Sequence, residues 1–225
     1  MNQSIITQSL KDLAVKRPFF WSEADFQFAF SEALRVYLPN AKIRLERPVP
    51  IKKGKDEKTY HVDIWIEDEG KIYPIELKYK TKRCSIKIGD ETFNVTDQSA
   101  EDLGRYDYIA DIKRIEDIRD LYRSTFGEGY AIMLTNNLRY CPNERNNKNT
   151  MDKNFRIYQG AVLKGQLKWI RTLQSKTVNE DGDRGSRRVI SLSGEYQIKW
   201  EDYSKDKDTD GKEIFLRRCV TTITK

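Results

Sequence analysis

Residues 59–80, TYHVDIWIEDEGKIYPIELKYK, form two runs of alternating apolar and polar residues on either side of Glu69-Gly70. A period of two marks strands with one buried face, and a two-residue turn at Glu69-Gly70 closes them into a hairpin. That turn sets Val62 opposite Leu77, Ile64 opposite Ile75 and Ile66 opposite Tyr73, a wholly apolar side. The other side brings Asp63 opposite Glu76 and His61 opposite Lys78. Opposed Cβ atoms lie roughly 4.5–5.5 Å apart, so two carboxylates meet with an ammonium beside them. One register thus satisfies the core and creates a charged cluster. Pro74 lacks an N–H, which points to an edge position or a bulge within the second strand.

Working outward, residues 22–38, SEADFQFAFSEALRVYL, read as a helix. Ser22 caps it, acids fill the first turn, Pro39 stops it, and Phe26, Phe30, Ala33, Leu34 and Tyr37 form a stripe of helical period. AKIRLERPVPI (41–51) alternates as a strand, and KKGKDEK follows as a lysine-rich loop. Residues 97–123 carry Leu103, Tyr106, Ile109, Ala110, Ile112, Ile115, Ile118 and Leu121 at the spacing of one long helix or two short ones. GYAIMLTN (129–136) has the continuous apolar character of a buried strand. An Asn/Lys-rich loop (142–154), a weakly patterned stretch FRIYQGAVLKGQLKWI and a polar linker (175–188) come next. The strand-like runs RVISLS, EYQIKW and IFLRRCVTTIT finish the chain. This order predicts an α/β fold in a single domain over 1–225, with a core at 20–136 and a β-rich C-terminal extension at 137–225.

Composition restricts the chemistry. The 225 residues include 41 Lys+Arg and 35 Asp+Glu, a net charge of +6, and one histidine, His61. A single imidazole excludes multi-histidine zinc sites and two-histidine acid/base catalysis, and no GxSxG accompanies it for a serine triad. Cys84, Cys141 and Cys219 are scattered and odd in number, as free thiols of a reducing cytoplasm are. The N-terminus lacks a signal-peptide pattern, and no apolar run approaches the roughly 20 residues of a membrane helix. A cytoplasmic protein with no membrane partner is expected, and the basic excess permits a nucleic-acid partner.

Two carboxylates held face to face raise one another's pKa unless a positive charge lies between them. A hard divalent cation with oxygen ligands, Mg²⁺ or Mn²⁺, resolves the conflict and can activate water toward a phosphodiester. Lys78 would orient that water or offset transition-state charge. Asp63 followed by Glu76-Leu77-Lys78 resembles the D…ExK signature of the PD-(D/E)xK, restriction-endonuclease-like nucleases. The element order over residues 20–136 is similar to that superfamily's αβββαβ core, a mixed sheet flanked by helices. The resemblance implies a Mg²⁺- or Mn²⁺-dependent nuclease acting on nucleic acid, DNA first, in a restriction or defence role. It makes Asp63 and Glu76 metal ligands, Lys78 the partner of the attacking water, and Glu23 the supporting carboxylate, with Glu46 as the alternative. Val62 stands where many members carry Pro. Gln98 and Tyr106 are set against the Gln or Tyr that some members carry in the following helix. The same resemblance allows a homodimer, since many related enzymes pair to cut both strands, but no symmetric interface is legible in the sequence.

Other readings of the same residues stay open. Asp63, Glu76 and Lys78 also suit a solvated strand face with a cross-strand ion pair worth about 0–1 kcal/mol. Glu23 suits a helix N-terminus in its own right. His61 reads as a neighbour of the cluster rather than a ligand. Lys80, Lys82, Arg83, Gln98, Arg105 and Arg114 are candidate nucleic-acid contacts; otherwise residues 80–83 are a charge run, and Arg105 and Arg114 belong to a helix laced with ion pairs to Asp107, Asp111 and Glu116. A fold that kept the core but binds nucleic acid or protein without catalysis is the alternative function. Asp206-x-Asp208-x-Asp210-Gly211 imitates a calcium loop but has Arg217 where a bidentate Glu is needed.

Overall fold

The computed structural model describes residues 1–53, 56–98, 100–142, 149–172 and 177–225. Two helices lead, α1 (Gln3–Lys16) and α2 (Glu23–Tyr37), followed by three long strands, β1 (Lys42–Lys53), β2 (Asp56–Asp68) and β3 (Lys71–Lys80). A small hairpin, β4 (Cys84–Ile88) and β5 (Glu91–Val95), precedes helix α3 (Glu101–Leu121) and strand β6 (Gly129–Thr135). The remainder supplies β7 (Val162–Leu167), β8 (Ile190–Gln197), β9 (Trp200–Lys207) and β10 (Glu213–Ile223). The protein is α/β, built on a mixed six-stranded sheet in the order β1-β2-β3-β6-β10-β9, with a strand-rich C-terminus. Only β3 and β6 run parallel; every other neighbouring pair is antiparallel. Among the described residues no helix is long and apolar enough to cross a membrane.

Local chemistry sets these elements. Ser22 Oγ accepts the Asp25 N–H at 3.1 Å and caps α2, whose Phe26, Phe30 and Leu34 turn inward. The Glu69-Gly70 turn has φ of 48° and 73°, the left-handed pair of a type I′ turn that matches strand twist. Behind it the expected ladder forms, with Ile64 paired to Ile75 and Ile66 to Tyr73. Pro74 does not disturb this register. The Leu77 and Tyr79 N–H groups face the β2 side of β3, so by alternation the Pro74 ring nitrogen faces β6, and the ladder with β6 begins only at Ile75.

Helix α1 was not expected from the sequence; Asn2 caps it and Ile6, Leu10 and Leu13 seal it into the core. The β4–β5 hairpin and β7 are likewise additions to the expected order, and RVISLS with the start of EYQIKW forms one strand, β8. Strand continues to Lys53 and resumes at Asp56, so strand flanks residues 54–55 of the expected lysine-rich loop; those two residues lie outside the described ones. Residues 143–148 of the expected Asn/Lys loop also lie outside them, as do residues 173–176, of which 175–176 begin the expected linker.

The sheet has two cores. On one face α1 and α2 cover Ile64, Ile66, Ile75, Leu77 and Tyr79; on the other α3 and the β7–β8 pair cover Val49, Val62, Trp65 and Met133. Val62 therefore does not share a face with Ile64 and Leu77 as the register arithmetic expected. Its neighbour Asp63 is where the alternation of β2 slips by one, and β1 slips at the same height, between Ile43 and Val49. Ladder pairs stand on both sides, Leu45–Ile64 and Arg47–Val62, but Glu46 and Asp63 between them are unpaired, and Glu46 has φ of 52°. A coordinated slip of two strands is the distortion that positions the site.

Candidate active site

Beyond Ile64–Ile75 strands β2 and β3 separate, because β3 turns its pairing to β6 while β2 stays with β1. The expected pairs Asp63–Glu76, Val62–Leu77 and His61–Lys78 are therefore not ladder pairs. Instead the Asp63 carboxylate enters the fork and its Oδ2 accepts the Leu77 N–H at 2.5 Å. One turn of strand further, Glu23 at the start of α2 accepts the Tyr79 N–H at 2.7 Å. Two carboxylates thus take over N–H groups that a neighbouring strand would otherwise bond, and both are brought to the opening of the fork.

Glu76 and Lys78 alternate onto the α3 face of β3. Glu76 is 1% exposed, and its Oε2 receives Arg114 Nη1 at 2.9 Å while its Oε1 has no hydrogen-bond partner. Lys78 Nζ donates to the Leu77 carbonyl at 3.0 Å and stands 2.9 Å from Asp111 Oδ2, an ion pair without the alignment of a full hydrogen bond. Arg114 also lies 3.5 Å from Asp111 Oδ1. Four carboxylates, Glu23, Asp63, Glu76 and Asp111, therefore act on two cations, Lys78 and Arg114.

The electrostatics follow from that imbalance. Burial pushes Asp63 up to about 6, the charges of Asp111 and Glu23 push the same way, and the Leu77 N–H and Lys78 only partly oppose them. Glu76 is held well above the usual carboxylate range by burial and by Asp111, against the pull of Arg114. Burial alone would lower Lys78, but the charges of Asp111, Glu23 and Asp63 outweigh it and raise its pKa, so its ammonium persists at neutral pH. Fully ionised, the cluster would carry more negative charge than its own cations neutralise, and the raised pKa values of Asp63 and Glu76 express that excess.

Glu46 is exposed and reaches the site through Gln27, whose Nε2 donates to Glu46 Oε1 at 2.7 Å and to the Asp63 carbonyl at 2.6 Å. His61 is exposed and pairs with Pro48 on β1. Lys82 and Arg83 are exposed past the end of β3, near Arg139 and Lys212; Lys80 is half-buried at its last position. Gln98 precedes α3 rather than lying on it, and its N–H bonds the Thr81 carbonyl. Tyr106 lies on α3 but stacks on Trp169. Arg105 is not a surface contact: it is buried against Asp152 at 2.6 Å, and its partner is none of the helix acids expected for it. Asp208 spends its carboxylate on the β9–β10 turn, accepting the Asp210 and Lys212 N–H groups.

Sequence reasoning left Gln27 out of the site, and it set Asp111 and Arg114 only among the ion pairs and nucleic-acid contacts of α3, not beside Glu76 and Lys78. Asp111 had a signal, being a carboxylate within the buried stripe of Tyr108, Ile112 and Ile115. Gln27 had a fainter one, one helical turn after Glu23 and beside Phe26.

Hard carboxylate oxygens, two of them (Glu76 Oε1 and Asp111 Oδ2) buried without a hydrogen-bond partner, fit a divalent cation in donor chemistry. Among the described residues no three His, Cys, Asp or Glu side chains converge on one point as they stand, since Arg114 and Lys78 draw Glu76 and Asp111 aside. Comparison of the chain with family models, with characterised proteins and with solved structures found no match.

Proposed function

We propose that this protein is a divalent-metal-dependent nuclease of the PD-(D/E)xK type that hydrolyses phosphodiester bonds of nucleic acid, DNA in the first instance. The observation that carries the reading is the fork, where Asp63 and Glu23 accept N–H groups of the strand that carries Glu76 and Lys78, and where burial and neighbouring carboxylates raise the pKa values of Asp63 and Glu76. Fully ionised, the four carboxylates exceed Lys78 and Arg114 by two charges, the deficit that one Mg²⁺ or Mn²⁺ makes good. Asp63 and Glu76 would hold the ion, with Glu23 at the margin. When bound, the ion supplies Lewis acidity and a more acidic water.

The chain's own groups do the remainder. Lys78 is protonated at neutral pH, so it acts as a cation beside the phosphate or as a donor to the incoming water, not as a base. Glu23 holds β3 at Tyr79 and thereby sets the reach of Lys78. Gln27 fixes the Asp63 backbone from α2.

A second reading has its own observation. Arg114 on Glu76 and Lys78 on Asp111 form pairs that need no ion, as a binding module that had lost catalysis would display. The deciding experiment incubates the protein with supercoiled plasmid, linear DNA and single-stranded RNA in Mg²⁺ or Mn²⁺. Cleavage that EDTA and Lys78→Ala each abolish is expected. No cleavage of any of these across divalent metals would sink the nuclease. A Mn²⁺-induced rise in melting temperature that Asp63→Ala removes would still place an ion in the fork.

A further inference from the structure

A cleft of about 320 Å³ opens beside the fork, between Tyr60 of β2, Tyr106, Lys113 and Arg114 of α3, and Ile190 and Ser191 of β8. Arg114 belongs to both places, since it lines the cleft and bonds Glu76 at 2.9 Å. The outer wall is fixed by Glu116, which accepts the Ser193 and Gly194 N–H groups at 2.8–3.0 Å and so holds β8 against α3.

Cations lie over aromatic faces along this cleft. Arg114 stands 5.3 Å and Lys58 5.4 Å from the Tyr60 ring centre, and Arg187 stands 5.9 Å from that of Tyr106. Lys113 adds an ammonium, paired with Asp117 at 3.0 Å, which is the acid on this wall. Aromatic faces that stack on bases, set among cations that track phosphates, are the means by which single strands are held without sequence preference. Bases of a continuous duplex are stacked on one another and offer no free face, whereas a cleft of this volume suits one unstacked nucleotide.

We propose that the cleft takes an unpaired nucleotide next to the cleaved phosphate, so that the substrate is single-stranded or frayed nucleic acid rather than continuous duplex. The link to the cleaved phosphate rests on the nuclease reading; the binding itself does not. Stacking against Tyr60 holds the base, since Tyr106 is already stacked on Trp169 and serves as a wall of the cleft, and Lys113 and Arg114 meet the flanking phosphates. The β7–β8 segment then serves as the outer jaw of the cleft.

Fluorescence anisotropy in EDTA, where no cleavage can occur, tests this with a labelled single-stranded oligonucleotide and a blunt duplex of equal length. The single strand should bind more tightly. Tyr60→Ala should weaken it by about tenfold, the scale of one lost base–aromatic stack, and Tyr60→Phe should retain it. Lys113→Gln should lower the salt slope by about one. Melting curves establish that each variant is folded. Equal affinity for duplex and single strand, or wild-type affinity in folded Tyr60→Ala and Lys113→Gln, overturns the proposal. Tyr60-dependent binding without cleavage in any metal would uphold the cleft and refute the nuclease; metal-dependent cleavage with binding indifferent to Tyr60 would do the reverse.

Discussion

Oδ2 of Asp63 accepts the N–H of Leu77 at 2.5 Å, at the point where β2 and β3 stop pairing. The carboxylate replaces a strand carbonyl and sets the width of the fork. Asp63→Ala leaves that N–H without its acceptor and should cost about 1–3 kcal/mol. Asp63→Asn keeps an acceptor oxygen and removes the charge, so in EDTA it should melt close to the wild type. Equal destabilisation by both substitutions would show that the hydrogen bond is not what supports the fork.

The same carboxylate makes stability depend on pH. Its pKa of about 6 in the fold exceeds the unfolded value of about 3.9, so between these limits the folded state holds the proton more tightly. This group's contribution therefore favours the fold in acid, declines as pH rises through that window and is level above it. Denaturant midpoints in EDTA from about pH 4 to about pH 7 should fall more steeply with pH for the wild type than for Asp63→Asn. A bound cation competes with the proton, so Mg²⁺ affinity should increase as pH rises through about 6. Parallel profiles for the two proteins would contradict the assignment.

Arg114 Nη1 donates to Oε2 of buried Glu76 at 2.9 Å, and removing it leaves that carboxylate without its partner. Arg114→Met should destabilise by about 3–5 kcal/mol, because a buried charge loses its counter-ion. Glu76→Gln in the same chain should recover much of that loss. Added Mg²⁺ should raise the melting temperature of Arg114→Met more than that of the wild type. Additive effects of the two substitutions would mean that the pair does not interact.

What could be read in the sequence was local. The β2–β3 turn and the Ile64–Ile75 and Ile66–Tyr73 pairs follow from alternation and two turn residues, and α2 follows from its cap and stripe. The fork could not be read that way. It depends on β6 drawing β3 from β2, on Gln27 reaching the Asp63 carbonyl from α2, and on the slip that sends Val62 to the opposite core. Asp111 and Arg114 were visible as a helical pair, but their partners Lys78 and Glu76 lie on a strand far upstream. Arg105 was misread for the same reason, its partner Asp152 being distant in sequence. Helix α1 carries Ile6, Leu10 and Leu13 at helical spacing, yet what makes that stripe a core face is α2 folding back over it.

Glu116 offers the clearest stability test away from the fork. Its fully buried carboxylate accepts the Ser193 and Gly194 N–H groups and the Tyr196 hydroxyl at 2.8–3.0 Å, with Lys113 at 3.3 Å. Burial alone would raise its pKa, but these donors together outweigh burial and lower it. A lowered carboxylate stabilises the fold above the unfolded pKa, about 4.3, and that stability disappears as pH falls through the folded value. Glu116→Ala should therefore cost about 3 kcal/mol at neutral pH, where a charged acceptor with several donors is lost, and the deficit should shrink in strong acid. Glu116→Gln retains one acceptor oxygen and should lose less. Amide exchange should quicken at Ser193 and Gly194 before it does in β6, because the carboxylate ties β8 to α3 while β6 is held by β3 and β10. Uniform quickening across the sheet would instead make Glu116 a support of the whole fold.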